Sequence, residues 1–122
     1  MLKNKDEINL GYAEPYRNFI YVDDMIDMWL SVIENSEKCK GKTFTIGPEW
    51  AIKIRDYAEM IGRKLKWRGK INWHTKDPRP GEIYWLCSNH RLITETIVWE
   101  PKTSLSDGLD KTIKIWRDKN AQ

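Results

Sequence analysis

This sequence predicts a mixed α/β (α+β) fold, and three observations carry that expectation. Short extended runs alternate with amphipathic ones along the chain. Gly47-Pro48, the stretch from Pro78 to Gly81 and Pro101 punctuate the boundaries between them. The composition, 40% hydrophobic and 32% charged over 122 residues, is that of an ordinary globular chain. A chain of this length buries roughly 65 to 70% of its unfolded surface. That is enough for one core, so one domain over residues 1–122 is expected.

The elements follow in order. Ile8 to Gly11 and Phe19 to Val22 read as short extended pieces, the second rich in aromatic and β-branched residues. The period then changes. Met25, Trp29 and Val32, with Ile26 and Ile33 beside them, recur at helical spacing and predict a helix ending near Asn35, its start capped by Asp23 or Asp24. Lys42 to Ile46 alternates polar residues with Phe44 and Ile46, a strand pattern stopped by Gly47-Pro48. Ile54, Tyr57, Ala58, Ile61 and Leu65 form the clearest helical stripe, with Arg55, Asp56, Glu59, Arg63 and Lys64 mostly opposite. Lys70 to His74 again looks extended, and Lys76 to Gly81 is a polar, proline-bearing loop. A short helix is expected from Ser88 to Thr96. After Pro101, Ser104-Leu-Ser-Asp107 nearly matches a capping box and opens a helix with the stripe Leu105, Leu109, Ile113 and Trp116.

Charge and composition exclude several function classes. The net charge of +3 is modest and its signs are interspersed, which argues against a nucleic-acid binder. Arg63, Lys64, Lys66, Arg68 and Lys70 form one basic cluster; at the end of a predicted helix such cations complement the macrodipole and stay solvated. Cys39 and Cys87 have no metal or redox spacing, and His74 and His90 complete no ligand set, so reduced thiols and no metal are expected. No apolar run is long enough to span a bilayer, and Met1 to Glu7 has no apolar leader. A cytoplasmic protein is the expectation. Seven Trp against two Phe point to tryptophans at interfaces or ligand edges, with some filling the core.

Two arginines stand out chemically. Arg17 lies just before a predicted strand, and Arg79 sits between two prolines that limit its backbone. A guanidinium so placed suits a bidentate grip on phosphate. The alternative is a surface pairing of Arg17 with Asp23 or Glu14, worth at most ~1 kcal/mol. Phe19, Tyr21 and Val22 read as core or strand residues. Asp23 and Asp24 look like a paired-carboxylate site, but a cap and a first-turn charge account for them.

The run Arg17-Asn-Phe-Ile-Tyr-Val-Asp-Asp24 resembles the R-D-F-x-Y-V-D-D segment of extended short-chain dehydrogenase/reductases that act on nucleotide sugars. Arg79-Pro-Gly-Glu82 resembles their R-P-G-D segment. Leu10-Gly11 with Pro15, Gly41-Lys-Thr-Phe-Thr-Ile-Gly47, and Trp99-Glu-Pro-Lys-Thr-Ser-Leu105 with Gly108-Leu109 and Trp116 extend the likeness, in order, over nearly the whole chain. The resemblance implies the small C-terminal substrate domain of an NAD-dependent sugar-nucleotide epimerase or 4,6-dehydratase. It implies contacts to the diphosphate from Arg17 and Arg79, and to the ribose from Glu82. Two positions depart from the pattern: Asn18 stands for the usual Asp, and Glu82 is one methylene longer than Asp.

The Rossmann half is missing from this reading. The glycines at 11, 41, 47, 62, 69, 81 and 108 never form a dinucleotide fingerprint, and none of Tyr12, Tyr16, Tyr21, Tyr57 or Tyr84 has a lysine four residues on. No catalytic residue is therefore assigned. The chain is expected to bind a nucleotide-diphosphate sugar but no cofactor of its own, with NAD or NADP implied for the complete enzyme. The chain reads as a truncated or split enzyme whose other half is a separate chain, a lost domain or one cut away. Met1 just ahead of the substrate region fits a separate reading frame, and the expected partners are a separate Rossmann-domain chain or a second copy in a homo-oligomer. A stand-alone nucleotide-sugar binding module and an oligomerising interaction protein are the rival readings.

Overall fold

The computed structural model describes residues 6–120. Met1 to Lys5, part of the stretch on which the expectation about a leader rests, lie outside the described residues. In chain order the elements are β1 (Glu7–Asn9), β2 (Tyr16–Arg17), α1 (Val22–Glu34), α2 (Ser36–Cys39), β3 (Ile52–Lys53), α3 (Ile54–Leu65), β4 (Lys70–Asn72), β5 (Trp85–Leu86), α4 (Arg91–Ile97) and α5 (Leu105–Asn120). The mixed α/β class is as expected from the sequence. The chain divides into two compact units: one takes in residues up to Arg17, Ile52–Leu86 and those from Leu109, the other Asn18–Ala51 and Cys87–Gly108.

The first unit is built on two small sheets. β1 pairs in parallel with β4, placing Ile8 opposite Ile71. In the other sheet β2 is central, antiparallel to β3 and parallel to β5. β3 runs directly into α3, and this junction is pinned by backbone bonds from Ile54 N–H to Pro15 O (2.9 Å) and Arg55 N–H to Ala13 O (3.1 Å). The helical stripe begins where that sheet ends. α3 closes on Lys66 in a left-handed conformation (φ 53°), with Lys66 and Trp67 N–H returned to the carbonyls of Arg63 and Gly62. Arg63 and Lys64 occupy its last turn, as helix polarity favours. Gly69 is required by packing, since a Cβ there would strike the Trp67 ring and the Asp6 carbonyl. Leu109 and Ile113 of α5 are buried in this unit.

The second unit has its core at Met28, Ile93 and Trp99, with Ile20, Met25, Val32, Phe44, Ile46 and Ile97 packed around them. One face of α1 therefore points inward. The other carries Val22, Ile26, Trp29 and Ile33, all exposed, at the spacing of a continuous apolar stripe. The loop before α5 is tied to α1 by Asp24, a buried carboxylate that accepts from Thr103 N–H (2.8 Å) and Thr103 Oγ1 (2.9 Å). Asp27 accepts from the Trp99 indole at 3.2 Å. α5 starts at the expected cap: Ser104 Oγ accepts from Asp107 N–H (3.1 Å) and donates to its carboxylate (2.7 Å).

Several local expectations give way. Phe19–Val22 is not a strand; pairing occurs two residues earlier, at Tyr16–Arg17, and Val22 already opens α1 with its side chain exposed. Strand-like composition does not choose a strand when the neighbouring backbone lies elsewhere. Lys42–Ile46 likewise has no strand partner among the described residues, and its Phe44 and Ile46 serve the core instead. Neither Asp23 nor Asp24 caps α1, whose N-cap is Tyr21 without a side-chain bond. Both aspartates lie in the first helical turn. α4 spans 91–97 rather than 88–96, while α2 and β5, of four and two residues, are too short to leave a period in the sequence.

Ile93, fully buried, sets the first stability test. Ile93→Ala is expected to destabilise the chain by about 2 to 5 kcal/mol, and Ile33→Ala, on the exposed face of α1, by under about 0.5 kcal/mol. Urea unfolding followed by circular dichroism compares the two.

Candidate functional site

The site residues expected from the sequence meet in the first unit. Because β2 is the central strand, Arg17 is held beside β5, and the backbone bond from Tyr16 N–H to Tyr84 O (2.8 Å) brings in the segment that follows the proline-bearing loop. The loop's beginning is fastened by Thr75, whose N–H (3.1 Å) and hydroxyl (2.9 Å) both donate to Leu10 O. Its end is a tight turn, Arg79-Pro80-Gly81-Glu82, closed by Glu82 N–H to Arg79 O at 3.0 Å. Gly81 takes φ 75° there, the left-handed third position that such a turn demands after proline.

The result is a cleft of about 500 Å³ lined by Tyr12, Arg17, Lys76, Asp77, Arg79 and Glu82 among others. Arg17 and Glu82, 65 positions apart, form a 2.6 Å ion pair. The second terminal nitrogen of Arg17 donates to Tyr16 O at 2.7 Å. The guanidinium is therefore fixed from two sides. Arg79 is exposed and has no ion-pair partner among the described residues. Three cations, Arg17, Lys76 and Arg79, thus share one cleft with two carboxylates, Asp77 and Glu82. Such an excess of hydrogen-bond donors suits an anion that accepts at several points.

The surface pairings considered for Arg17 do not form. Glu14 binds Lys53 (2.9 Å) and Arg55 (3.4 Å), with His74 Nε2 at 3.8 Å. The hydrogen bond from Lys53 holds the Glu14 carboxyl below the usual carboxylate range, and the same bond raises Lys53 above the usual lysine range. Arg55 also lies over the Trp73 ring, 4.7 Å from its centre. Lys76 and Asp77 were not singled out in the sequence; their only signal is charge in the loop that ends at Arg79.

Asn18 lies in the second unit, not in the cleft. Its amide nitrogen donates to Pro48 O and Ser88 O, both at 2.8 Å, and reaches Ser88 Oγ at 3.1 Å. A carboxylate here would face two carbonyl oxygens. The departure from Asp is therefore a structural one. Phe19 lines a separate cavity of that unit, about 460 Å³, with Pro48, Trp50 and His90. Cys39 and Cys87 are free thiols. Among the described residues no group of His, Cys, Asp and Glu could hold a metal ion, and no helix is long and apolar enough to cross a membrane.

No protein-family model matches the chain. It is similar to UDP-D-apiose/UDP-D-xylose synthase 1 of Arabidopsis thaliana, with 35% identity over 113 residues, 83% of this chain and 29% of that one. GDP-L-fucose synthase 1 of the same plant is 30% identical over 110 residues, 90% of this chain and 32% of that one. The solved UDP-glucuronic acid 4-epimerase of Bacillus cereus, in complex with UDP-glucuronic acid and NAD, superposes with a TM-score of 0.79 at 22% identity, over 99% of this chain and 37% of that one. The relatives of this chain are thus sugar-nucleotide synthases and epimerases, and its structural neighbours are extended short-chain dehydrogenase/reductases. The chain spans about a third of the length of the extended dehydrogenase/reductases it matches.

The Glu14–Lys53 pair gives a pH prediction. Because the folded carboxyl value is depressed, the pair's contribution is present above the unfolded carboxylate value and lost as pH falls through the folded one. Glu14→Gln should therefore lower the melting temperature most near neutrality, and the gap to the parent chain should close on acidification. Thermal unfolding from about pH 2 to about pH 8 measures that gap.

Proposed function

We propose that residues 1–122 form the nucleotide-sugar binding domain of an NAD-dependent sugar-nucleotide epimerase or 4,6-dehydratase, and that this domain is inactive alone. The observation that carries the reading is the cleft. Arg17 lines one concave site with Lys76, Arg79 and Glu82, which lie some sixty positions further along the chain. In this reading Arg17 and Arg79 hold the diphosphate and Glu82 accepts from the ribose. The relatives named for UDP- and GDP-linked sugars support the substrate class, and the epimerase solved with UDP-glucuronic acid and NAD supports both substrate and cofactor for the complete enzyme.

The chain's own residues do not fit a dinucleotide. The direct strand-to-helix junction among the described residues, Lys53 to Ile54, contains no glycine, so backbone N–H groups cannot close on a pyrophosphate there. In this reading hydride chemistry falls to a Rossmann domain outside residues 1–122, and the enzyme works in the cytoplasm. The exposed stripe Val22, Ile26, Trp29 and Ile33 supports a protein partner, because contiguous apolar surface of this kind favours association. That partner is a separate Rossmann-domain chain or a second copy.

Two expectations test this reading. In calorimetry a nucleoside diphosphate binds weakly, Arg17→Ala and Arg79→Ala each cost about 1.5 to 3 kcal/mol, Arg→Lys recovers part of this, and NAD and NADP do not bind at micromolar levels. Unchanged affinity in both alanine variants would return these arginines to the surface. In light scattering at low micromolar concentration the chain self-associates, or it joins an added Rossmann half and restores NAD-dependent turnover. A monomer that takes up no such half would remove the partner reading.

A further inference from the structure

We propose that Glu82 is an exchangeable counter-ion, so that the cleft selects diphosphates carrying a ribose over bare inorganic anions. This rests on the reading of the cleft as a nucleoside diphosphate site. The geometry points to it directly: at 2.6 Å Glu82 Oε1 already occupies the guanidinium edge that an incoming phosphate oxygen needs. The other terminal nitrogen of Arg17 is held by Tyr16 O at 2.7 Å, so the guanidinium cannot swing away to bind elsewhere. An anion that grips this edge of the guanidinium must displace the carboxylate.

The displaced carboxylate has to find new donors. The other charged groups lining the cleft are Lys76, Asp77 and Arg79, and in the proposed complex the cations among them face the same phosphates. Vicinal ribose hydroxyls supply a neutral, side-by-side pair of O–H donors to a carboxylate, and an inorganic pyrophosphate ion offers no such pair and repels the carboxylate by its charge. A ligand with a ribose therefore compensates the loss of the Arg17–Glu82 pair, and one without it does not.

Side-chain length is part of the device. Glu82 begins at the end of the Arg79 turn, and one methylene less would withdraw its oxygens by roughly 1.5 Å, too far for the contact with Arg17. The pair is only about three-quarters buried, each side chain keeping 25% of its exposure, which leaves the exchange inexpensive and reversible.

The test is calorimetric titration of the full chain with UDP and with inorganic pyrophosphate, in chelator, for the parent, Glu82→Gln and Glu82→Asp, each checked for folding by circular dichroism. Glu82→Gln should bind pyrophosphate about two- to fivefold more tightly and should lower the preference for UDP over pyrophosphate by about tenfold or more. Glu82→Asp keeps the charge but loses the reach. It should share the gain for pyrophosphate while UDP affinity is maintained or raised. If only Glu82→Gln gains, the effect is removal of a charge and the exchange is overturned. If both variants match the parent on both ligands, the exchange is likewise overturned while the cleft stands as a binding site. If neither ligand binds any of the three chains, the diphosphate reading itself falls, and the exchange with it.

Discussion

Tyr16 and Arg17 are the centre of a three-stranded sheet only two residues deep. They pair on one side with Ile52 and Lys53 and on the other with Trp85 and Leu86. Everything placed in the first unit's cleft depends on that register. β3 leads without a break into α3, so the helix takes its starting point from the strand beside Arg17. β5 follows the proline-bearing loop, so the loop must return to the same strand. A slip of one residue would turn Arg17 to the opposite face of the sheet. Stacking of Tyr16 on Trp85, with ring centres 4.7 Å apart, resists such a slip.

The helices were legible in the sequence and the strands only in part, for a physical reason: the extended stretches at Ile8 and Lys70 meet as β1 and β4, while the three-stranded sheet around Arg17 left no pattern. A helix satisfies its backbone within one segment, so α1, α3 and α5 declare themselves by the spacing of Met25 to Val32, Ile54 to Leu65 and Leu105 to Ile113. A strand is completed by another part of the chain. Lys42–Ile46 has the alternation of a strand but no neighbour among the described residues, whereas Tyr16–Arg17, which shows no alternation at all, has neighbours on both sides. The unpaired strand pattern and the exposed stripe of α1 belong to the same unit.

The site was legible through likeness rather than through pattern. Arg17, Arg79 and Glu82 carry no periodicity, and their meeting in one cleft depends on β2 pairing with β5 and on the Gly81 turn. What the sequence could not disclose is which carboxylate Arg17 takes. Glu14 is much nearer along the chain, yet Lys53 and Arg55 claim it. Asn18 is the converse case: a departure that looked chemical proves to be packing, set by two carbonyl oxygens of Pro48 and Ser88.

Val98 closes α4 in a left-handed conformation (φ 57°), an arrangement a β-branched residue adopts at a cost of about 1 to 2 kcal/mol. Its side chain is 88% exposed and offers no packing in return. What the reversal provides is the next residue. Trp99 enters the core almost completely buried, and its carbonyl accepts from Thr94 Oγ1 at 2.5 Å. The strain at 98 is thus the local expense of anchoring an indole at 99. The side chain at position 98 is free of any packing requirement, and the backbone there is under-optimised for a valine. This fold therefore carries an unused reserve of stability at a surface position.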